Sequence, residues 1–271
     1  MAESPYLYGP AGWSYKDWEK NVYPEKKPRS FNPLLFLAEK FDFVEVNTSF
    51  YRIPSVKLTE GWVQKTETVP NFQFWIKLFQ GFTHDRKVLT PDVEAFKASL
   101  EPLQRTSQLS GLLVQYPYSF KLINSNLKYM VSLADIFKEY TQAIEFRHNS
   151  WNREEVFHIF KEKNLIWVNI DEPVISQSLP LTSVMTHPDT SYFRLHGRNY
   201  KNWFTEGRDD RYNYLYNNTE LTEIAQKVKE LKEMAKKIFI SGNNHYKGSA
   251  VQNLLELKKL LEATLSIGQP K

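Results

Sequence analysis

The sequence of 271 residues contains no cysteine. This absence excludes disulfide bonds, thiol nucleophiles, thiolate zinc sites and iron–sulfur clusters held by cysteine. Any catalysis must therefore use carboxylates, histidine, lysine, arginine, tyrosine, or a metal ion held through oxygen and nitrogen atoms.

Long apolar runs are also absent. Nowhere do roughly 18 apolar residues stand together, which is about the length that a membrane-spanning helix needs. The N-terminal segment Met1–Trp13 lacks the basic stretch and following apolar run that mark a secretory signal. We therefore expect a soluble, cytoplasmic protein with no membrane partner.

The chain has no low-complexity tract and no linker. Hydrophobic residues make up 41% of it and charged residues 24%, which is typical of a folded globular protein with a large core. The net charge of +4 would suit an anionic partner without requiring one. We predict one domain that covers residues 1–271. The sequence assigns no oligomeric state.

Short apolar runs alternate along the chain with stretches of helical periodicity, a pattern that indicates βαβ units and a parallel sheet. Between the sixth and seventh runs the chain is rich in Pro and Ser, so we expect irregular structure there instead of a helix. The predicted fold class is α/β, a single (β/α)8 TIM-type barrel with an irregular sixth βα connection. The predicted strands are Tyr6–Gly9, Phe43–Asn47, Phe72–Leu78, Gly111–Gln115, Ala143–Arg147, Ile166–Asp171, Tyr192–His196 and Ile238–Asn243.

The predicted helices show apolar residues at spacings of three and four, and several begin at capping residues such as Asn152 and Ser249. They are Phe31–Lys40, Val56–Lys65, Asp92–Arg105, Ile123–Phe137, Arg153–Lys163, Leu221–Ala235 and Ser249–Ala263.

Alternation within the strands separates polar from apolar side chains, because residues two apart in a strand face the same way. In Phe43–Asn47, Val44 faces one side while Glu45 and Asn47 face the other. The polar set falls at the C-terminal end of nearly every strand, where barrel enzymes carry their active sites. We therefore predict a polar barrel mouth. Its candidate catalytic residues are Glu45, Lys77, Glu145, Asp171 and His196.

The same argument, extended to the loops, supplies the candidate substrate-binding residues. The positive charges of Lys77, Arg147 and Arg194 balance the three carboxylates of the mouth, so that a protonated His196 would favour a singly charged anionic ligand. Aromatic residues in the loops could form a stacking wall for a base or a sugar, or could merely plug the end of the barrel. The candidates are Trp13, Asn47, Tyr51, Gln115, Arg147, His148, Arg194, Asn243, Asn244, His245 and Gly248.

A second interpretation of the charged residues is an interior ion network that only fills a wide barrel. The two interpretations differ at Glu145. A carboxylate held for chemistry predicts that Glu145→Gln abolishes turnover without lowering the melting temperature, whereas a structural network predicts a large loss of stability.

The segment NNHYKGSA, from Asn243 to Ala250, is a candidate phosphate-binding loop. It leads to a helix N-terminus, where free N–H groups and the helix dipole favour anions, although ordinary capping by Ser249 explains the same residues.

His84, His148, His196 and His245 could bind a divalent metal, but no spacing matches a recognised ligand motif. We predict no cofactor, with a divalent metal as the alternative.

Six segments, taken in order, resemble the YecE-like TIM-barrel family, also known as domain of unknown function seventy-two. The resemblance covers nearly the whole chain and implies a TIM-type barrel, but it implies no established activity. The segments are GWSYKDW (12–18), FVEVNTSFYRIP (43–54), EFRHNSW (145–151), YFRLHGRN (192–199), RYNYLY (211–216) and NNHYKGSAVQN (243–253).

Two functions fit these features. The first is an enzyme that uses Glu45 or Glu145 as acid or base on an anionic or polyhydroxylated substrate, such as a phosphorylated sugar, a nucleotide or a phosphodiester. If it is an enzyme, we expect a hydrolase. The alternative is a non-catalytic module for nucleic acid, which would use the basic and aromatic stretch Arg198–Arg211 and bind in a salt-dependent way. That stretch carries a net charge of only one positive, from four basic and three acidic residues.

Overall fold

Eight parallel strands follow one another around a barrel in the computed structural model, which describes residues 4–203 and 210–263. The strands are β1 (Tyr6–Pro10), β2 (Phe43–Val46), β3 (Gln73–Lys77), β4 (Leu109–Gln115), β5 (Gln142–Glu145), β6 (Ile166–Asp171), β7 (Thr190–Leu195) and β8 (Lys237–Gly242). Their order in the sheet is β1-β8-β7-β6-β5-β4-β3-β2. Backbone hydrogen bonds from Asp42 N to Tyr8 O (3.0 Å) and from Gly12 N to Glu45 O (2.8 Å) join β1 to β2 and complete the barrel.

Helices cover the outside of the barrel or lie in its loops, and none within residues 4–203 and 210–263 has the length and apolar content to span a bilayer. Asparagine side chains start two of them: Asn32 accepts from Leu34 N, and Asn217 forms a capping box with Glu220. The helices described are α1 (Pro33–Ala38), α2 (Thr48–Tyr51), α3 (Val56–Thr66), α4 (Gln80–Thr83), α5 (Thr90–Arg105), α6 (Asn124–Ile136), α7 (Glu154–Glu162), α8 (Asn218–Lys229) and α9 (Ser249–Glu262).

The predicted (β/α)8 TIM-type barrel is confirmed, with every strand ending within two residues of its expected position. The irregular sixth connection is confirmed as well, because residues 172–189 contain no helix. The one-turn helices α2 and α4 were not predicted, since a single turn shows no periodicity in the sequence.

The irregular connection takes the place of a helix on the outer face of β6. Asn169 Oδ1 accepts hydrogen bonds from Thr182 Oγ1 (2.7 Å) and Val184 N (2.8 Å). Two residues after Val184, the hydroxyl of Thr186 donates a hydrogen bond to Leu165 O (2.6 Å). The buried amide of Asn169 is thereby satisfied, and the connection is tied along the strand.

The middle of the barrel interior is a layer of aromatic side chains. Phe43 packs edge-on against Phe239, with ring centroids 5.2 Å apart, and Trp75 packs edge-on against both Tyr192 (4.8 Å) and Phe239 (5.2 Å). Edge-to-face contacts of this kind add to the free energy gained by burying the rings. This layer fills the barrel on the N-terminal side of the polar side chains and confines them to the C-terminal end of the strands.

Strand register decides which side chains face the axis, because paired residues of neighbouring parallel strands point to the same face. Ile170 pairs with Arg194, and Val168 pairs with Tyr192. Both partners point inward, so the inward set of β6 is apolar. Asp171 therefore faces outward, and the prediction that it points to the axis is wrong: alternation separates two faces but does not say which one is inside.

We expect Gly9→Ala to destabilise the barrel by about 1–3 kcal/mol through overpacking. A Cβ atom at Gly9 would lie only 2.3 Å from the Phe43 carbonyl oxygen, which belongs to the neighbouring strand. Urea unfolding measures the effect. The matched control is Gly61→Ala, where a Cβ atom meets nothing within 4 Å and the helical position gains about 0.5–1 kcal/mol. Equal stability of the two variants would contradict the prediction.

Candidate functional site

Arg194 lies at the centre of the polar layer and is 1% exposed. Its Nε and Nη2 atoms donate to Glu45, with Nη2 2.5 Å from Oε1, and its Nη1 atom donates to Glu145 Oε2 at 3.0 Å. A buried guanidinium needs such partners, since burial alone would lower its pKa, and the two carboxylates instead hold that pKa well above the ordinary value. Arg194 is therefore a fixed positive charge that is already neutralised.

Glu45 has no free oxygen in this arrangement. Besides Arg194, it accepts hydrogen bonds from the hydroxyls of Tyr192 (2.9 Å) and Ser241 (3.0 Å). It is completely buried. A carboxylate with both oxygens engaged and no exposure is poorly placed to take a proton from a ligand.

Glu145 is held in the same way. It accepts from Arg147 Nε at 2.6 Å as well as from Arg194, and His196 Nε2 lies 3.4 Å away. Burial alone would raise the pKa of Glu145, but Arg147 and Arg194 hold it well below its ordinary value. Glu145 stays ionised at neutral pH and orients the two arginines.

Arg147 continues the chain of ion pairs to Glu172, at the start of the irregular connection. Burial raises the pKa of Glu172 to about 7, because Arg147 is shared with Glu145 and cannot compensate both carboxylates. Glu172 therefore exchanges a proton near neutral pH, unlike Glu145.

His196 is neutral at pH 7. Its burial and the positive charge of Arg147 lower its pKa well below the ordinary value, despite Glu145. Asn243 Nδ2 donates to His196 Nδ1 (2.9 Å), while Asn243 Oδ1 accepts from Asn47 Nδ2 (3.3 Å). A protonated His196 is therefore not part of the resting site.

Lys77, at the end of β3, is the cation of the inner layer that the carboxylates leave uncompensated. Its Nζ atom lies 4.2 Å from the centroid of the Phe50 ring, and in the described part of the chain no hydrogen bond or ion pair engages it. Burial and the charge of Arg194 lower the pKa of Lys77 to about 7.

Two neighbouring cavities open above this layer. We call the first the aromatic lobe; it measures about 620 Å³ and is lined by Trp13, Tyr15, Asn47, Tyr51, Trp62, Lys65, Lys77, Arg194, Tyr212, Asn243 and His245, among others. We call the second the polar lobe; it measures about 400 Å³ and is lined by Phe50, Tyr51, Lys77, Gln80, His84, Gln115, Arg147, Glu172, Trp203, Arg211 and Tyr212, among others. Tyr51, Lys77 and Tyr212 line both lobes.

Most of the predicted site residues meet in this mouth. They form its charged floor or its walls: Trp13, Glu45, Asn47, Tyr51, Lys77, Gln115, Glu145, Arg147, Arg194, His196, Asn243 and His245. Four predicted residues lie elsewhere: His148, Asp171, Asn244 and Gly248.

Asp171 makes its hydrogen bonds on the outer side of β6, towards α8. It accepts from Arg198 Nη2 (2.8 Å) and from the Tyr216 hydroxyl (2.7 Å), and Arg198 also donates to Glu223. These bonds compensate the charge of Arg198, which weakens the basic surface expected over Arg198–Arg211. Glu206, Arg208 and Asp209 of that stretch lie outside the described residues.

Asn243 and His245 of the predicted phosphate loop line the aromatic lobe, but Asn244, Lys247 and Gly248 make their contacts elsewhere. Asn244 Nδ2 donates to Tyr214 O (2.9 Å), and a Cβ atom at Gly248 would lie 2.4 Å from Val22. Lys247 N donates to the carboxylate of Asp17 (2.5 Å). An internal carboxylate therefore occupies the place where an anion was expected.

The histidines are dispersed as well. His148 Nδ1 bonds with Ser150 (2.9 Å), away from both lobes, whereas His245 stacks on Tyr15 with ring centroids 4.3 Å apart. Within residues 4–203 and 210–263, no group of three or more His, Asp or Glu side chains lies close enough to hold a metal ion.

Several lining residues were not predicted. Glu172 follows β6, whose predicted orientation was wrong, and Trp203 and Tyr212 lie in the connection that follows β7. Trp62 and Lys65 lie on α3, where their spacing of three places them on one face; that spacing was the signal available in the sequence.

Several known proteins resemble this chain in sequence, and the solved structures among them share its fold. A family model described as "Protein of unknown function DUF72" matches residues 7–271. UPF0759 protein YunF from Bacillus subtilis is 31% identical over 274 residues, which cover 95% of each chain. A crystal structure of a DUF72 family protein from Thermotoga maritima is 34% identical, with a TM-score of 0.81 over 95% of this chain and 99% of that one. A second, from Enterococcus faecalis, is 28% identical, with a TM-score of 0.82 over 95% of each chain.

The contacts of Glu145 change the stability that the enzyme interpretation predicted for Glu145→Gln, which was a melting temperature equal to that of the wild type. We expect a loss of about 3–5 kcal/mol in urea unfolding, since the new amide would face Arg147 or Arg194 with a donor where an acceptor is needed. The wild-type contribution is fully present above the pKa of an unfolded glutamate, about 4.3, and is lost as the pH falls through the lower pKa of the folded state. The variant should lack this part of the acid dependence.

The control for this substitution is Glu162→Gln on α7, whose carboxylate pairs only with His158 at the surface. It should change stability by no more than about 0.5 kcal/mol. A Glu145→Gln protein as stable as this control would contradict the ion cluster described above.

Proposed function

The chain belongs to the DUF72 family of proteins of unknown function, and from that premise we propose that its barrel mouth binds an anionic small molecule with a ring, such as a nucleotide or a phosphorylated sugar, and transforms it by proton transfer. The observation that carries the proposal is the lining of the aromatic lobe. It combines stacking side chains with the ammonium groups of Lys65 and Lys77, and among the described residues no Asp or Glu lines it.

Aromatic side chains favour a planar or ring-shaped ligand. Trp13 packs edge-on against Trp62, with centroids 5.7 Å apart, which fixes the orientation of its ring. Tyr51 and Tyr212 stand at the junction of the lobes. Such faces bind bases and sugar rings by stacking.

The positive potential of the mouth favours an anion. Arg194 and Arg147 are compensated by buried carboxylates, but Lys77 is not, and Lys65 adds a second charge at the rim. An ammonium that is partly shielded from water attracts a phosphate or carboxylate more strongly than one at the surface. An anionic ligand is therefore expected in the aromatic lobe, which both lysines line.

For proton transfer, Lys77 and Glu172 are better suited than Glu45 and Glu145, the acid or base that the sequence suggested. Glu45 and Glu145 are fully engaged, whereas Glu172 and Lys77 both have pKa values of about 7 and line the polar lobe together. Groups that titrate near neutral pH are suited to act as general acid and base. In a hydrolase, the class expected from the sequence, this pair would activate water and protonate the leaving group.

Lys77→Met should weaken the binding of adenosine 5′-monophosphate by about tenfold to a hundredfold, because it removes a charge-assisted contact. Isothermal titration calorimetry measures the affinity, with ribose 5-phosphate and uncharged adenosine as comparison ligands. Adenosine should bind wild type and variant equally weakly.

The control variant is Lys161→Met. Lys161 lies at the C-terminal end of α7, at the opposite end of the barrel, and is exposed. It should bind like the wild type. If neither phosphate ligand binds the wild-type protein, or if Lys77→Met binds as well as Lys161→Met, the proposal fails.

Tyr51→Ala tests the stacking wall separately. The side chain is 53% exposed, so its removal should leave the melting temperature unchanged. Affinity for adenosine 5′-monophosphate should fall by about 1–3 kcal/mol, the usual effect of losing one stacking ring, while affinity for ribose 5-phosphate should change less. Equal losses for both ligands in the same calorimetric titrations would show that Tyr51 does not stack on the base.

A further inference from the structure

We propose that Lys77 forms a covalent imine with the aldehyde or ketone group of the substrate, so that the substrate class is an anionic carbonyl compound. This inference rests on the proposed function, because it requires that the mouth bind anionic small molecules. It extends that function from proton transfer to nucleophilic catalysis.

The position of Lys77 carries the argument. It is at the C-terminal end of β3 on the axial side, and its backbone is fixed because the Ser49 hydroxyl donates to the Lys77 carbonyl oxygen at 2.6 Å. Its side chain lies on the boundary of the two lobes. A ligand bound in either lobe can therefore contact the Lys77 side chain.

The neighbours of Lys77 leave its nitrogen available. The carboxylates that could hold it as an ammonium, Glu45 and Glu145, are already engaged by Arg194 and Arg147. The closest aromatic partner is the Phe50 ring, which cannot take a proton from the amine. Of the lysine and arginine side chains in the described inner layer, Lys77 is thus the one whose nitrogen is not bonded to a carboxylate.

The protonation state of Lys77 also supports its role as a nucleophile. Burial and Arg194 bring the pKa of Lys77 to about 7, so that a large fraction is the free amine at neutral pH. An unperturbed lysine, with a pKa of about 10.4, is almost entirely protonated there and is a poor nucleophile. Desolvation beside another cation is the established way in which proteins activate a lysine.

Formation of the imine needs no reagent besides the Lys77 amine, the carbonyl group and a proton donor. The lone pair of Lys77 Nζ attacks the carbonyl carbon, the C=O π pair moves to oxygen, and a proton passes from nitrogen to that oxygen to give a carbinolamine. The hydroxyl then leaves as water with one added proton, the nitrogen lone pair forms the C=N bond, and the nitrogen of the resulting protonated imine acquires the positive charge. Glu172 lines the same lobe as Lys77 and, with its pKa of about 7, can supply the proton for the departing water.

Pyridoxal 5′-phosphate is a suitable probe, because it carries an aldehyde, an aromatic ring and a phosphate. Wild-type protein is exposed briefly to it near pH 7, reduced with borohydride, digested and mapped by mass spectrometry. We expect about one reduced adduct per chain, on Lys77, formed at least about tenfold faster than on any other lysine. Its rate of formation should rise with pH through about 7, as the amine of Lys77 loses its proton.

Two variants and a second ligand separate the possible causes of failure. Lys77→Arg keeps the positive charge and should bind phosphate ligands but give no imine absorbance, whereas Lys161→Arg should react like the wild type. Pyridoxine 5′-phosphate has an alcohol in place of the aldehyde and reports binding alone.

If pyridoxine 5′-phosphate binds but the aldehyde labels Lys77 no faster than surface lysines, the imine is refuted and the proposed function stands. If neither compound binds the mouth, the proposed function fails with it. Selective labelling that persists in Lys77→Arg would place the reactive amine elsewhere and would also overturn the inference.

Discussion

A buried guanidinium sets the conditions for the rest of this barrel. Arg194 is taken out of water at the top of an aromatic layer, and the desolvation of its charge would be prohibitive without opposite charges in direct contact. Those charges come from Glu45 on β2 and Glu145 on β5, so the ion cluster ties together strands that are distant in the chain. The carboxylates best placed for chemistry by their position are thereby committed to structure.

This commitment determines which groups remain reactive. Once Arg194 and Arg147 have taken up Glu45 and Glu145, Lys77 has no carboxylate of its own among residues 4–203 and 210–263, and Glu172 shares its arginine with Glu145. Burial then shifts the two pKa values toward each other, down for the amine and up for the carboxyl, until both lie at about 7. A structural ion network and a pair of groups that titrate near neutral pH therefore coexist in one layer, and the two interpretations of the charged residues are not exclusive.

Much of the barrel could be predicted because its signals are local. The β-strands were read from runs such as Ile166–Asp171, whose boundaries the structure reproduces. The polar mouth followed from alternation at Glu45, Glu145 and Arg194, which the register places on the axis. The same rule failed for Asp171 because the irregular connection, not a helix, covers β6 and satisfies Asn169 from outside. A hydrogen bond to a distant loop leaves no trace in strand periodicity.

The sequence by itself determined the barrel, the end of it that carries polar groups, and most of the residues found there, because periodicity and strand ends depend only on neighbours in the chain. Tertiary structure alone decided which of those groups are neutralised and which are left to react. Glu145 looks like Glu172 in the sequence, but Glu145 pairs with both Arg147 and Arg194, whereas Glu172 pairs with Arg147, which it shares with Glu145. Protonation depends on burial and on charges brought close by folding, and these are properties of three-dimensional position.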